Sequence, residues 1–266
     1  RSSDLLMRDE AIHYHNYNAD NIIEVGAAHF DHYVKIKEDE PKKKFYTKYH
    51  IPASKKLVLW GTVSQALYPN QIDPLKYFLN AINNNVFEDE IFLWVRLHPL
   101  TMAQTYKNIV AEYKKLGSDN VKIELPDAGS EKLLCDVSKE DMTHLGALLA
   151  SADILITPNS TLSIDAACFD LPIINLAVDK QVARGFKLIH YSQLLTNKGV
   201  WVAESEKELL ESVDQYLKNP ALHSEGRKKI VKQQLGNYFG NAGVRTAEVL
   251  NGIIQREKIS NKLKNE

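Results

Sequence analysis

The chain has 266 residues, 33 Lys and Arg against 34 Asp and Glu, a formal net charge of -1 and 44% apolar residues. These values indicate one large globular domain with additions, and they exclude a disordered, collagen-like or disulfide-stapled chain. The balanced charge argues against a nucleic-acid partner, and no run of about 18 apolar residues is present that could cross a membrane. Two cysteines, Cys135 and Cys168, fit a reducing compartment, so we expect a cytoplasmic protein.

The N-terminal segment, 1–54, is predicted to be a crossing segment and linker with one strand, at 22–26. It starts at Arg1 with neither an initiator Met nor the apolar stretch of a signal peptide, so we expect a processed chain or a fragment. A Lys-rich stretch between two prolines, within 38–54, predicts a short helix that leads into the main sheet.

Short apolar runs then alternate with longer stretches of helical spacing. The runs are mostly β-branched or aromatic, which is typical of buried strands in a parallel sheet, and they lie at 22–26, 57–61, 91–97, 121–125, 153–157, 172–176 and 200–203. Helix starts are indicated by Asp73 as N-cap before Pro74, by Ser138 and by a capping box from Ser205 to Glu208; Asn219-Pro220 indicates a stop.

This alternation predicts an α/β fold with a doubly wound, Rossmann-like parallel sheet over 55–204. C-terminal helices over 205–266 are expected to pack on it, the last forty residues forming two of them. In such sheets ligands bind beyond the carboxyl ends of the strands, at the switch in strand order, so the residues that follow each run are the candidate site.

The first candidate loop follows the run at 57–61. Gly61 would let the backbone approach a ligand, and Thr62 and Ser64 add hydroxyl groups that suit a phosphate. Neither a Walker A loop nor a dinucleotide fingerprint is present, and an ordinary strand-ending turn explains the residues equally well.

The second candidate follows the run at 91–97. Arg96 and His98 are two apart, so in a strand they point to one side, where a guanidinium and an imidazole suit a diphosphate. The alternative is an Arg at the strand end in a surface ion pair, with a buried His whose hydrogen bonds are satisfied. After the next run, Glu124 and the backbone beyond it lie where a nucleobase could be held.

The third candidate is the turn after the run at 153–157. Asn159, Ser160 and Thr161 precede a helix whose first-turn amides would favour an anion, and Asp165 could accept hydrogen bonds from ribose hydroxyls. Helix capping is the plain alternative, and it is compatible with binding. The sequence singles out no general base, and His13 and His15 have no carboxylate at metal-ligand spacing, so no metal site is predicted.

These residues together resemble the C-terminal, donor-binding half of a GT-B glycosyltransferase. The resemblance covers about 22–176: the run at 22–26 with Phe30-Asp31, the Gly61-Thr62 loop, Arg96-Leu97-His98-Pro99, and 152–175 around Asn159-Ser160-Thr161. Within that class the chain is similar to bacterial capsule, sialic-acid, Kdo and glycerophosphate transferases, which carry a His-Pro motif and a Ser-Ser or Ser-Thr pair.

The resemblance implies a metal-independent glycosyl or glycerophosphate transfer in the synthesis of a surface polysaccharide or glycolipid. His98, Ser160 and Thr161 would hold the phosphates of a CMP, CDP or UDP type donor, which is a substrate rather than a cofactor. Asp165 stands where the family has Glu, and the acceptor half is absent. A missing N-terminal half or a partner chain would therefore bring the acceptor glycan or lipid-linked glycan.

Two alternatives stay open, a non-hydrolysing nucleotide-sugar epimerase and a non-catalytic nucleotide-binding or docking module. The C-terminal stretch from Lys218 to Glu266 holds ten Lys and Arg against four Asp and Glu. Its charge indicates either a solvated helix face or peripheral contact with an anionic membrane.

Overall fold

A computed structural model describes residues 4–37, 41–102, 106–127, 138–185 and 194–264. The chain forms two compact units, a helical unit of Arg1–Lys35 with Val231–Glu266 and a sheet unit of Ile36–Ile230. The predicted segments 1–54 and 205–266 each contribute to both units. Cys135 lies outside the described residues, and Cys168 is a buried free thiol.

The sheet unit is built on six parallel strands in the order β3-β2-β1-β4-β5-β6. This order confirms the predicted doubly wound α/β fold, with its switch point between β1 and β4. The strands are β1 (Lys56–Gly61), β2 (Ile91–Arg96), β3 (Val121–Glu124), β4 (Ile154–Thr157), β5 (Ile173–Leu176) and β6 (Trp201–Ala203).

Helices cover both faces of the sheet, which is why its central strands are apolar on both sides. In chain order the helices are α1 (Asp4–His15), α2 (Asp31–Lys37), α3 (Pro41–Tyr49), α4 (Ile72–Asn83), α5 (Lys107–Lys114), α6 (Lys139–Ser151), α7 (Leu162–Ala167), α8 (Lys180–Gly185), α9 (Glu206–Lys218), α10 (Ser224–Leu235) and α11 (Ala242–Lys264). The main core packs α4 and α9 against the strands through fully buried side chains that include Trp60, Leu75, Phe78, Leu209 and Val213.

Two predicted helix starts are confirmed by their caps. The Ser138 hydroxyl accepts the N–H of Asp141 at 3.1 Å, and the Ser205 hydroxyl accepts the N–H of Glu208 at 3.2 Å. The Glu208 carboxylate returns a bond to the backbone N–H of Glu204 at 2.8 Å. Such reciprocal bonds satisfy donors that the first turn of a helix leaves free.

The predicted N-cap of α4 was wrong. Asp73 lies inside the first turn, and the cap position belongs to Gln71. Pro74 still falls in the first turn, where a missing N–H costs nothing. The side chain of Gln71 hydrogen-bonds to the backbone of Val63, eight residues earlier in the chain. This contact holds Gln71 at the position where the helix begins.

The predicted strand at 22–26 was also wrong. These residues form an irregular segment of the helical unit, in which the elements of the described residues are helical. A run of β-branched residues forms a strand only beside another strand edge, and the described part of the helical unit contains no strand. Gly26 has φ +85, and a methyl group at its Cα would lie 2.8 Å from Cβ of Ala242, so a close helix contact shapes this segment instead.

Asp31 organises the helical unit by capping the 23-residue helix α11 from a distant part of the chain. Its Oδ1 accepts the N–H groups of Gly240 at 3.0 Å and Ala242 at 3.1 Å, and its Oδ2 accepts that of Gly243 at 2.8 Å. A carboxylate is favourable at this helix end because the free N–H groups and the helix dipole are both positive there. No helix in the described ranges is long and apolar enough to cross a bilayer.

Candidate functional site

A row of polar or small residues crosses the carboxyl edge of an otherwise apolar sheet. Strand register pairs Glu124 with Arg96, Arg96 with Gly61, and Thr157 with Asn175. A methyl group at Gly61 would lie 3.5 Å from the Thr157 hydroxyl oxygen, which joins the two halves of the row. The polar edge therefore coincides with the switch point at which ligands bind in this architecture.

Arg96 lies at the buried end of β2 and is held by two carboxylates. Its Nη1 donates to Glu124 Oε2 at 2.7 Å, and its Nη2 donates to Asp141 on α6. Arg96 is 7% exposed. Its guanidinium is thus engaged in ion pairs, as the alternative interpretation of the sequence expected, but these pairs are buried and not at the surface.

Glu124 collects three donors at the end of β3. Besides Arg96, the Trp94 indole donates to Oε2 at 3.0 Å, and Nε2 of His144 lies 2.6 Å from Oε1. Burial alone would raise the pKa of Glu124, but the hydrogen bonds and charges of His144 and Arg96 outweigh it and lower the pKa to about 2. This carboxylate is ionised at neutral pH and already has partners.

Asp141 links this network to the loop between β3 and α6. Its Oδ1 accepts the backbone N–H of Asp127 at 3.1 Å, and the Ser138 hydroxyl lies 3.5 Å from the Asp127 carboxylate. Asp141 is 6% exposed. The charged network therefore fixes where the chain leaves β3.

Gly61 lets α7 approach the end of β1. A methyl group there would lie 2.5 Å from Cδ2 of Leu162, the first residue of α7. The loop that contains Ser160 and Thr161 is thus brought to the Gly61-Thr62 loop by a close contact in which a larger residue at position 61 would displace the Leu162 side chain.

A buried glutamine holds the loop after β1. The Gln71 side chain accepts the Val63 N–H and donates to the Val63 carbonyl, both at 2.9 Å, and it also donates to Gln65 Oε1 at 3.2 Å. Gln71 is 2% exposed. This pairing presents Ser64, which lies between Val63 and Gln65, at the carboxyl edge.

His98 is held at three of its polar groups. Its backbone N–H donates to the Thr62 hydroxyl oxygen at 2.8 Å, its carbonyl accepts the Thr101 N–H at 2.8 Å, and its Nδ1 accepts the Leu100 N–H at 3.2 Å. Burial lowers the pKa of His98 below its ordinary value of 6.5. The ring is therefore neutral at pH 7, with Nδ1 an acceptor and its proton on Nε2.

The turn before α7 is shaped by its own polar groups. The Ser160 hydroxyl accepts the Leu162 N–H at 3.2 Å, and the Ser160 carbonyl accepts the Ser163 N–H at 3.1 Å. Thr161 is exposed at the N-cap, and Asp165 is half-buried in the first turn. The cap position belongs to Thr161, whose side chain makes no capping hydrogen bond, and the first helical N–H is instead bound by Ser160 from one residue before the cap.

Asn159 faces the end of α8. A methyl group at Gly185 would lie 1.8 Å from the Asn159 side-chain nitrogen, so a larger residue there would displace the Asn159 side chain. On β5, the buried Asn175 side chain donates to the Ser163 hydroxyl at 3.0 Å and ties α7 to the sheet.

The structure brings some predicted site residues together and gives others a different setting. Thr62 and His98 are in direct contact, and Gly61 adjoins the start of α7. Arg96 and Glu124 bind each other within the fold. The sequence analysis did not identify Asp141 or Gln71 as site residues. Asp141 lies three residues after the predicted helix start at Ser138, and no sequence pattern pointed to Gln71.

A cleft of about 340 Å³ opens at the opposite, amino-terminal edge of the sheet. Polar and acidic residues line it, and Lys55 at its wall donates to Asn120 and lies 3.9 Å from Glu90. It is remote from the switch point, so it is not the candidate site. Across the described ranges no cluster of three His, Cys, Asp or Glu side chains could hold a metal ion.

A parallel sheet of this order, with polar loops at its switch point, defines a Rossmann-like domain. Comparison with protein families then identifies the family of the chain. The chain belongs to the CDP-Glycerol:Poly(glycerophosphate) glycerophosphotransferase family, whose model matches residues 3–248. No curated protein sequence matched the chain.

Solved structures of three GT-B-like proteins share the fold. A variant of the wall teichoic acid polymerase TagF matches with a TM-score of 0.59 and 16% identity, over 99% of this chain and 58% of that one. The S. aureus MnaA-UDP co-structure matches with a TM-score of 0.55 and 13% identity, over 91% of this chain and 56% of that one. The UDP-GlcNAc 2-epimerase of Methanocaldococcus jannaschii, in complex with UDP-GlcNAc and UDP, matches with a TM-score of 0.53 and 16% identity, over 93% of this chain and 59% of that one.

These identities establish a shared fold, and the recognised resemblance to a GT-B glycerophosphate transferase is confirmed by the family match. The chain spans less than three fifths of the length of each of these neighbours.

Proposed function

We propose that this chain is the donor-binding part of a glycerophosphotransferase that acts in the synthesis of a wall polymer. Its donor would be a cytidine diphosphate ester of glycerol, bound at the carboxyl edge of the sheet. Family membership supports the reaction class. The observation that carries the proposal is the Nε2–H of His98, the one polar group of that residue without a partner among the described residues, at the switch point of the sheet.

The reaction is a displacement at phosphorus. An acceptor hydroxyl attacks the phosphorus that carries glycerol and gives up its proton to water or to a base in the acceptor half. The bond from this phosphorus to the oxygen of CMP breaks, and the electron pair stays on the CMP phosphate. Charge develops on that oxygen, and a positioned N–H donor stabilises it more strongly in the transition state than in the bound donor. We assign this role to His98.

In this proposal other predicted residues have three roles. Ser64, Ser160 and Thr161 offer hydroxyl or backbone donors to the phosphates, while Asn159 and Asp165 lie on the side where the ribose would be. Arg96 and Glu124 act by holding the ends of β2 and β3 in place, because their charges are already paired.

We further propose that the transfer needs no divalent metal, since donors on the protein would take over charge stabilisation. Dialysis against EDTA is expected to leave donor binding unchanged. Restoration of binding by Mg²⁺ after dialysis would overturn this part of the proposal.

The test is calorimetric titration with CDP-glycerol, CMP, UDP and UDP-GlcNAc, combined with thermal unfolding. CDP-glycerol at 100 times its Kd should stabilise the fold by about 2.7 kcal/mol. His98→Ala should weaken CDP-glycerol binding measurably and so reduce this effect, while His50→Asn, at an exposed position with φ 53 that Asn tolerates, should retain it in full. Binding of wild-type affinity in His98→Ala would overturn the proposed site.

The epimerase interpretation has a specific observation in its favour, the fold shared with the MnaA-UDP complex and with a UDP-GlcNAc 2-epimerase. A response to UDP and UDP-GlcNAc without any response to CDP-glycerol would favour it. No response to any nucleotide would favour a docking module.

We also propose that α11 contacts an anionic membrane surface, where a lipid-linked acceptor would be met. Leu250, Ile253 and Ile254 on neighbouring turns are 55%, 43% and 50% exposed, and the sequence beyond them carries Arg256, Lys258, Lys262 and Lys264. Apolar side chains beside basic ones bind anionic bilayers through burial and charge together. Sedimentation with phosphatidylglycerol vesicles should exceed that with phosphatidylcholine and fall for Ile253→Ser with Ile254→Ser; equal sedimentation would contradict the proposal.

A further inference from the structure

We propose that Thr62 is a positioning residue that holds His98 in its donor form, an inference that rests on the proposed function of His98. The observation is the hydrogen bond of 2.8 Å from the backbone N–H of His98 to the hydroxyl oxygen of Thr62. The sequence suggested Thr62 as a direct phosphate ligand, and the contact indicates that it acts through a neighbour.

The contact joins two loops 36 residues apart at the switch point. The Thr62 N–H donates to the carbonyl of Arg96 at 3.0 Å, so the backbone of Thr62 continues the β1–β2 ladder by one step. Its hydroxyl then supplies the acceptor for His98, where the ladder would otherwise end. Thr62 is 5% exposed, so water cannot readily replace this acceptor.

The position of the His98 backbone decides the state of its ring. Directly after His98 the chain makes a tight turn, in which the Leu100 N–H donates to Nδ1 at 3.2 Å and the Thr101 N–H donates to the His98 carbonyl at 2.8 Å. An Nδ1 that accepts a hydrogen bond leaves the ring proton on Nε2. Thr62 thus anchors the turn whose amide selects the Nε2–H form.

Loss of the Thr62 oxygen would leave the His98 N–H buried without a partner. The turn would relax to find another acceptor, and the Leu100 N–H would move off the ring. A bond that fixes the orientation of a catalytic imidazole is expected to change binding and turnover without any contact to the substrate.

The chain offers isosteric variants for the experiment. Thr62→Val keeps the shape and removes the acceptor, Thr62→Ser keeps the acceptor, and Thr62→Ala serves as a second variant should the valine variant fail to fold. Thr101→Val is the matched control, because Thr101 is also buried, in the same turn, and its hydroxyl has no partner in the described structure.

The first readout is the CDP-glycerol affinity of each variant, by calorimetry, in the wild-type and His98→Ala backgrounds. Thr62→Val should weaken binding by about tenfold, as expected for a lost buried hydrogen bond, while Thr62→Ser and Thr101→Val stay within about twofold of wild type. In the His98→Ala background Thr62→Val should have no further effect. Additive effects would show that Thr62 contacts the donor itself and would overturn the inference.

The second readout is independent of any ligand. In protein with ¹⁵N-labelled histidine, NMR should show His98 with an unprotonated Nδ1 in wild type and Thr62→Ser, and a mixture of tautomers in Thr62→Val. An unchanged His98 spectrum in Thr62→Val would overturn the inference. If His98→Ala leaves CDP-glycerol binding intact while the Thr62→Val spectrum changes, the proposed function fails and the positioning of His98 by Thr62 stands.

Discussion

Arg96 and Glu124 are register partners on neighbouring strands, and their side chains form an ion pair of 2.7 Å at the buried carboxyl edge of the sheet. Asp141 from α6 binds the other arm of the guanidinium. The charge of Arg96 is thereby neutralised without a ligand. We therefore expect Arg96 to contribute to the stability of the fold, and its removal to lower the free energy of unfolding.

Arg96→Met is expected to destabilise the fold by about 3 to 5 kcal/mol, because it leaves two buried carboxylates without their counter-ion. Urea unfolding followed by circular dichroism measures this. As the control, Lys207→Met breaks an exposed pair of 3.3 Å with Glu211 and should cost about 0.5 kcal/mol or less. A stable Arg96→Met protein that no longer binds nucleotide would instead make Arg96 a direct ligand.

Gly226→Ala is expected to be more damaging than Gly61→Ala. The new methyl group at Gly226 would lie 2.3 Å from the carbonyl oxygen of Lys198, which is backbone and cannot turn away. At Gly61 it meets the end of the flexible Leu162 side chain, so a cost of about 1 to 3 kcal/mol is expected. Thermal unfolding compares the stability of the two variants. Adding Leu162→Ala should recover part of the lost stability in Gly61→Ala and none of it in Gly226→Ala.

Stability should fall as the pH drops from about 7 to 5. Burial lowers the pKa of His98, and it also lowers those of His29 and His223, so the unfolded chain binds more protons than the folded chain in this window. Glu124, whose pKa falls from its ordinary 4.5 to about 2, adds stability that is lost at lower pH, as the pH falls from 4.5 towards 2. Urea midpoints at pH 8, 6.5 and 5 test the first of these pH windows. In His98→Gln the midpoint should fall less steeply with pH than in wild type. An equally steep fall would contradict the assignment to His98.

Asp31→Ala should loosen the start of α11, since three backbone N–H groups lose their acceptor. We expect a loss of about 1 to 2 kcal/mol, as for other helix caps, and a smaller loss for Asp31→Asn, which keeps one oxygen. Hydrogen exchange at residues 240–246 measures the effect locally. Unchanged protection there in Asp31→Ala would show that packing alone holds this helix end.

Several elements could be predicted because their causes are local. Six of the seven predicted strands were found, since a parallel sheet covered on both faces requires continuous apolar runs. The caps at Ser138 and Ser205 followed from bonds between residues three apart. The run at 22–26 has the same composition as a strand, and it failed because a strand also needs a neighbouring edge that composition does not reveal.

The sequence by itself determined the class of fold and the residue types that gather at the carboxyl edge of the sheet, where we propose the site. Only the tertiary structure decided their roles, because those depend on contacts between distant parts of the chain. Arg96 is neutralised by Glu124, 28 residues away, and by Asp141, 45 residues away. His98 receives its anchor from Thr62 across 36 residues, and Asp31 caps a helix more than 200 residues further along the chain. Local patterns determine which elements form, whereas the partners of a charged or polar side chain are set by how those elements pack.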